Sequence, residues 1–423
     1  MRTSPKAPIF HSRILIVLAA ALYGKARQVS PAPGGWHNPR HRMPLSLSFV
    51  RESALPRWLD HAAGTPLLWL WGALRRRRPR PAAPQSFGIM AFETLGDTLL
   101  AGTLLASLRA SVSGARITVF ASAGNRGILA LLDGVDGVVD VPLTRPLSAL
   151  AAIRSVRVDV MIDIGQWPRW YAVLCAASRS TYTIGFATPG QGRHYAYDAA
   201  VPHGADVHEV ENFQRLLGPL PGVRPLPPQC ALKAAGEPPA PIATHTPYIV
   251  VHPWASGFRY ASREWPQARW TGLIERACAL GFSVLVTGSP GDRARAAALV
   301  GACGTSLPVK SIAGEVSLLD LAAVLRSASA VVAVNTGVMH LAALLDAPLV
   351  ALHGPTSRRR WGPVGPRSIS LAPPLGCACE FLNLGFEYPK GPVNCMDRIS
   401  VEDVFAALNV LLQRCPVLRE GLG

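Results

Sequence analysis

Residues 330–363 constrain the fold more than any other stretch of this 423-residue chain. Ala330–Val334 is an unbroken apolar run that ends at Asn335-Thr336-Gly337. A helical pattern opens at Val338, and a second apolar run at Pro348–Leu352 leads into the Gly354-Pro355 loop. Two apolar strands joined by a helix pair in parallel, because the crossover returns the second strand alongside the first in the same direction. Such strands are covered by helices on both faces. The strand-to-helix turn exposes backbone N–H groups at the positive end of a helix dipole, which suits a phosphate. The segment predicts an α/β sheet holding a phosphorylated ligand, and leaves ligand and reaction open.

The alternation recurs upstream. Phe87–Phe92, Arg116–Ala121, Val138–Val141, Val158–Ile164 and Thr181–Phe186 read as strands, and Asp97–Ala110, Gly124–Leu132, Pro146–Val156, Arg169–Ala177 and Val207–Leu217 as the helices among them. Gly218–Pro247 contains nine prolines and no periodicity, the mark of a linker. A second series begins at Tyr248–His252, continues with strands at Ser283–Thr287 and Val309–Ile312 and a helix at Leu318–Ser327, and ends in a helix at Ser400–Gln413. The length also exceeds one core's usual size. The expected organisation is a basic extension over 1–85, a Rossmann-like domain over 86–217, a linker over 218–247 and a second Rossmann-like domain over 248–423. Ligands of such sheets sit at the carboxyl ends of the strands.

The net charge is +16, and Met1–Gln85 supplies +12 of it, with fourteen basic residues against Glu52 and Asp60. A nearly balanced body with a basic tail argues against nucleic-acid binding, and no RNA-binding aromatic motif is present. Ile14–Leu22 is apolar but too short to span a bilayer, and resembles a signal h-region without a convincing cleavage site. The proline- and arginine-rich stretch before Met43 leaves Met1 and Met43 as alternative starts. Pro66–Leu74 is apolar, bears two tryptophans, and runs into Arg75-Arg76-Arg77-Arg78. It reads either as a segment lying on the cytoplasmic face of a membrane or as an ordinary helix packed on the body with a solvated arginine run. Cys377, Cys379 and Cys395 could bind a metal, form a redox pair or pack a C-terminal loop; a structural zinc site needs four ligands and only three cysteines lie close together, so no metal is expected.

Three turns carry candidate chemistry. Glu93-Thr94-Leu95-Gly96-Asp97 follows the first strand and lacks the G-x-G-x-x-G spacing of a dinucleotide site. Asp97 is either a helix cap or a general base for an acceptor hydroxyl. Ser256-Gly257 and Arg263-Glu264-Trp265-Pro266 follow Tyr248–His252. There, backbone amides and a guanidinium suit a phosphate, or the arginine is simply solvated. Gly288 and Asp292 flank the end of the next strand, with Asp292 also placed to cap a helix.

Taken in order, these turns resemble glycosyltransferase family 9, the heptosyltransferases of lipopolysaccharide core assembly. The resemblance runs from about Phe87 to Leu412. It rests on Leu95-Gly96-Asp97, Arg263-Glu264-Trp265-Pro266, Asn335 through Ala343, and His353-Gly354-Pro355-Thr356 through Trp361-Gly362-Pro363. It implies a GT-B fold, an α/β architecture of two Rossmann-like domains facing each other across an interdomain cleft. By the same resemblance the chain is an inverting glycosyltransferase without metal or other cofactor. Its donor would be a nucleotide-diphosphate sugar, normally ADP-heptose, and its acceptor a lipid-linked envelope glycan. Asp97 would be the base, with Thr94 and Gly96 on the acceptor side. Arg263, Asn335, Thr336, Gly337 and His340, with Ser256, Gly288 and Asp292, would hold the donor. The location implied is the cytoplasm, peripheral on the inner membrane. Asn335 stands where the family often has Asp, and Arg263 where well-known members have Lys. The competing readings are a nucleotide-sugar 2-epimerase-like enzyme and a non-catalytic nucleotide- or glycan-binding relative.

Overall fold

The computed structural model describes residues 54–227, 232–233, 236–239, 247–257, 260–373 and 395–414. Two compact units are present, one built mainly from residues up to Pro227 and the other mainly from Pro228 onward. The first holds six strands: β1 (Ser86–Ala91), β2 (Arg116–Ala121), β3 (Gly137–Asp140), β4 (Val160–Asp163), β5 (Tyr182–Ala187) and β6 (Ala199–Pro202). They pair in the order β3-β2-β1-β4-β5-β6, all parallel. The second unit holds β7 (Tyr248–His252), β8 (Ser283–Val286), β9 (Val309–Ser311), β10 (Ala330–Val334), β11 (Leu349–Leu352) and β12 (Ser368–Leu371). Its order is β12-β11-β10-β7-β8-β9, also wholly parallel. Counted from its own first strand, the second sheet repeats the 3-2-1-4-5-6 order of the first. Each sheet therefore has one topological switch point, between β1 and β4 and between β7 and β10.

The central strands are buried and apolar over most of their length, with Asp163 and His252 as the polar ends of β4 and β7. Every residue of β4, β7, β10 and β11 is buried, with Ile162, Val332 and Val350 fully so. The sixth strand of each sheet, β6 and β12, has no such run, and sequence patterning gave no sign of either. Both are edge strands and only partly buried, so neither needed continuous apolar residues. The helix expected over Asp97–Ala110 is split into Leu95–Leu100 and Gly102–Ser111 at Ala101.

The Ala54–Leu74 helix is part of the first unit. Leu67 and Leu68 are buried. The Asp60 carboxylate accepts from the backbone N–H groups of Arg169 and Trp170, each at 3.1 Å, at the start of the Arg169–Ala177 helix. An anion there stabilises the positive end of the helix dipole. Close approach requires glycine at 64 and 72: a Cβ would stand 2.7 Å from Arg169 Cβ and 3.0 Å from Tyr195 Cβ. The arginine run that follows is not uniformly solvated, since Arg75 and Arg78 both pair with the buried carboxylate of Asp198. Among the described residues no helix is long and apolar enough to cross a membrane.

Candidate functional site

The expected residues of the first unit stand at the carboxyl end of β1. Thr94 is the N-cap of the Leu95–Leu100 helix and Asp97 its third residue, and the two form a capping box. Asp97 Oδ2 accepts from Thr94 Oγ1 at 2.7 Å and from Thr94 N at 3.2 Å. The cap itself is thus Thr94, not Asp97. Asp97 and Gly96 are buried and Thr94 is exposed. A capping box holds its carboxylate in one rotamer, which also suits a group that must meet a hydroxyl in fixed geometry.

Across the switch point, at the end of β4, lies a cluster that sequence reading missed. Arg193 Nη2 donates to Asp163 Oδ2 at 2.7 Å, and the Tyr197 hydroxyl donates to the same oxygen at 2.7 Å. All three side chains are fully buried. Burial opposes the Arg193 charge, and Tyr197 and Asp163 more than offset it, so the guanidinium remains protonated. Burial also pushes the Tyr197 hydroxyl well above its ordinary value, keeping it a donor. Arg193 Nη1 is buried without a hydrogen-bond partner. Gly185 makes room for the tyrosine, since a Cβ there would fall 2.3 Å from Tyr197 Cζ. The one local cue was an Asp ending an otherwise apolar strand.

In the second unit the turn after β10 places Asn335, Thr336, Gly337 and His340 together. Asn335 is buried, and its Nδ2 contacts His353 Nδ1 at 3.1 Å and donates to Thr356 Oγ1 at 2.9 Å. His353 and Thr356 follow β11, which pairs with β10, so adjacency of the two strands brings both loops together. Thr336 caps the Gly337–Leu344 helix in extended backbone, yet its side chain makes no cap hydrogen bond, unlike Thr94, Ser317 and Ser400. Thr336 Oγ1, His340 Nδ1 and His353 Nε2 are all buried without a hydrogen-bond partner. Buried polar atoms are normally paired, so such a group of them at one strand-to-helix turn points to a ligand site.

Around this turn lie the ends of β7 and β8. Burial holds His252 down to about 4, and His340 and His353 to about 3, so all three rings are neutral near pH 7. His252 Nδ1 contacts Thr287 Oγ1 at 2.9 Å. An anion bound here would meet neutral N–H dipoles from the histidines rather than charged rings. Arg263 ends a 3-10 turn over Tyr260–Arg263, is partly buried, and donates to the carbonyl of the exposed Ser256. A Cβ on Gly354 would lie 3.4 Å from the Ser262 carbonyl oxygen, so this turn runs against the loop that follows β11. Glu264 Oε1 accepts from Ala255 N at 3.0 Å and from Arg295 at 3.1 Å, and Arg295 stacks on Trp254 at 4.3 Å from the ring centroid. These side chains border a cavity of about 580 Å³. Gly288 and Asp292 have local roles: the Trp254 indole packs where a Gly288 Cβ would be, and Asp292 closes a capping box with Ser289.

Among the described residues no group of three His, Cys, Asp or Glu could hold a metal ion. Cys377 and Cys379 lie outside the described residues, and Cys395 is buried.

The three neutral histidines set a pH dependence. Unfolding returns each to an ordinary value near 6.5, so between that value and about 4 the unfolded chain binds protons that the folded chain does not. Their contribution to stability is present above pH 6.5 and is lost as pH falls. The slope is about 1.4 kcal/mol per pH unit for each histidine. Denaturant melts at pH 7 and pH 5 should show this loss, and His353→Asn should reduce the slope by about one proton's worth. A flat profile would refute the assignment.

Two doubly wound parallel sheets, each with buried polar groups at its switch point, define an α/β ligand-binding protein of two Rossmann-like units. Residues 151–384 match the family model described as Glycosyltransferase family 9 (heptosyltransferase), and the chain belongs to that family. It is 38% identical over 133 residues to lipopolysaccharide heptosyltransferase 1 of Pseudomonas aeruginosa, covering 31% of this chain and 36% of the relative. Against lipopolysaccharide heptosyltransferase 3 of Escherichia coli the identity is 30% over 118 residues, covering 27% and 34%. The matched region thus spans about a third of these relatives' length. Two solved structures share the GT-B fold. E. coli ADP-heptose lps heptosyltransferase II aligns at TM-score 0.63 and 20% identity, over 78% of this chain and 99% of that one. The family 9 glycosyltransferase from Veillonella parvula aligns at 0.64 and 17%, over 80% and 100%.

Proposed function

We propose that this protein is a glycosyltransferase that moves heptose from a nucleotide-diphosphate donor, ADP-heptose, to an acceptor of the lipopolysaccharide core or a related envelope glycan. The transfer inverts the anomeric centre and uses no metal. Asp97 takes the proton of the acceptor hydroxyl, with Thr94 and Gly96 shaping that end of β1. The hydroxyl oxygen attacks the anomeric carbon as the bond to the diphosphate breaks. Negative charge then grows on the departing diphosphate. It is met by the amides at the start of the Gly337–Leu344 helix, by Thr336 and His340, and by the Arg263 guanidinium beside Ser256. Asn335 faces the sugar as a hydrogen-bonding group without charge, while Gly288 and Asp292 shape the loop beyond β8. The enzyme works in the cytoplasm, at the inner face of the membrane that carries its lipid-linked acceptor.

The observation that supports this most is the uncapped helix start at Thr336, surrounded by buried unpartnered atoms of Thr336, His340 and His353. A heptosyltransferase of E. coli with a similar fold has been solved with ADP and with ADP-2-deoxy-2-fluoro heptose.

A thermal-shift panel tests the donor. Saturating ADP or ADP-heptose at 100-fold above Kd should stabilise the folded protein by about 2.7 kcal/mol, seen as a raised melting temperature. UDP and GDP should shift it far less. A larger shift with UDP than with ADP would overturn the donor assignment.

A further inference from the structure

We propose that the outer face of the Ala54–Leu74 helix, together with Arg76 and Arg77, is a docking surface for an anionic lipid bilayer, and that Asp198 orients it by holding Arg75 and Arg78 inward. The helix and the arginine run lie outside the residues matched by the family model, while Asp198 lies within them, and the proposal does not depend on the sugar-transfer reading.

The helix has two unlike faces, and neither is polar over its last three turns. Gly64, Leu67 and Leu68 are buried against the first unit. Pro66, Trp69, Leu70, Ala73 and Leu74, at helical spacing on the opposite side, are exposed. Trp69 is 57%, Leu70 41% and Leu74 58% accessible. Residues 62–74 carry no charged side chain and no histidine. A surface helix in water normally turns charged or polar residues outward, so an apolar outer face on a packed helix calls for another covering. Tryptophan and leucine beside arginine are the composition of a helix lying in a membrane interface, the rings among the acyl boundary and the guanidinium groups among phosphates.

The four consecutive arginines divide into two pairs. Asp198, whose side chain is fully buried, accepts from Arg75 Nη1 at 3.1 Å, from Arg78 Nε at 2.9 Å and from Arg78 N at 3.0 Å. It also accepts from Thr183 N and Oγ1, each at 2.9 Å. Arg78 donates in addition to the Ser180 carbonyl. With its ends fastened this way, the run turns Arg76 and Arg77 outward, and both are exposed. They follow Leu74 directly in the chain, so exposed cationic groups adjoin the exposed apolar ones. The occupant that complements both is a bilayer with anionic headgroups.

Sedimentation of the full-length protein with vesicles tests this. Vesicles of phosphatidylethanolamine and phosphatidylglycerol should carry the protein down, and phosphatidylcholine vesicles should carry much less. Arg76→Gln with Arg77→Gln should weaken partitioning about thirtyfold, at about 1 kcal/mol per arginine. Trp69→Ala, Leu70→Ala and Leu74→Ala together should weaken it about tenfold or more while leaving the melting temperature unchanged, because those side chains are exposed. Arg75→Gln should lower the melting temperature but change partitioning less than Arg76→Gln does. Unchanged partitioning of the triple variant would overturn the surface, including the case in which residues 14–22 bind lipid alone. Equal losses from Arg75→Gln and Arg76→Gln would overturn the role of Asp198. Self-association that the triple variant abolishes, without vesicle binding, would give the face to a second copy and overturn the proposal.

Discussion

Asp97→Asn is expected to lower kcat by about 10²–10⁴-fold, the usual range for loss of a positioned general base. Asparagine can still accept a hydrogen bond from the Thr94 N–H, so the capping box survives in part and the Leu95–Leu100 helix keeps its start. The melting-temperature shift produced by ADP should therefore match that of the parent protein. This combination separates a base from a cap. If Asp97 serves only the helix, its replacement costs on the order of 1 kcal/mol of stability and leaves turnover nearly intact. Single-turnover transfer with saturating donor distinguishes the two, and near-parental turnover sinks the base assignment.

The second large effect is on stability. Arg193→Met removes the cation that faces Asp163 in a fully buried site and leaves the carboxylate with Tyr197 and the Gly165 N–H. Stripping one partner from a buried ion pair costs about 3–5 kcal/mol, because the remaining charge is uncompensated. Adding Asp163→Asn to the variant should recover part of that loss by removing the stranded charge. Urea unfolding midpoints for the single and double variants check both statements. A loss below about 1 kcal/mol for Arg193→Met would show that the pair is not the organising element of the β4 end. A double variant no more stable than the single would show the same.

Central elements were legible because a buried parallel strand is apolar over most of its length. Arg116–Ala121, Tyr248–His252 and Ala330–Val334 run in the structure as the sequence predicts, as do the helices over Arg169–Ala177 and Leu318–Ser327. Strands β6 and β12 escaped notice because an edge strand half open to solvent tolerates Ser368 or Pro202. Gly124–Leu132 shrank to a helix over Arg126–Leu129 for a local reason: the Asn125 side chain bonds Ser122, Ala91 and Thr98 and holds its start as a turn. At the candidate site, the sequence marked the turns that follow β1, β7 and β10. It did not mark Arg193, whose partner Asp163 lies thirty residues earlier, nor the partners of Asn335.

The sequence by itself determined that this chain builds two parallel α/β sheets and which strand ends carry polar groups, because burial and helix capping act over a few neighbouring residues. Tertiary structure alone decided which of those groups meet. Strand order places the loop after β11 beside the turn after β10, so Asn335 finds His353 and Thr356. The same holds in the arginine run, where four identical side chains are indistinguishable in sequence. Asp198, more than a hundred residues away, takes Arg75 and Arg78 and leaves Arg76 and Arg77 exposed. Pairing across such a separation depends on where the sheet carries Asp198, and no local pattern encodes that position.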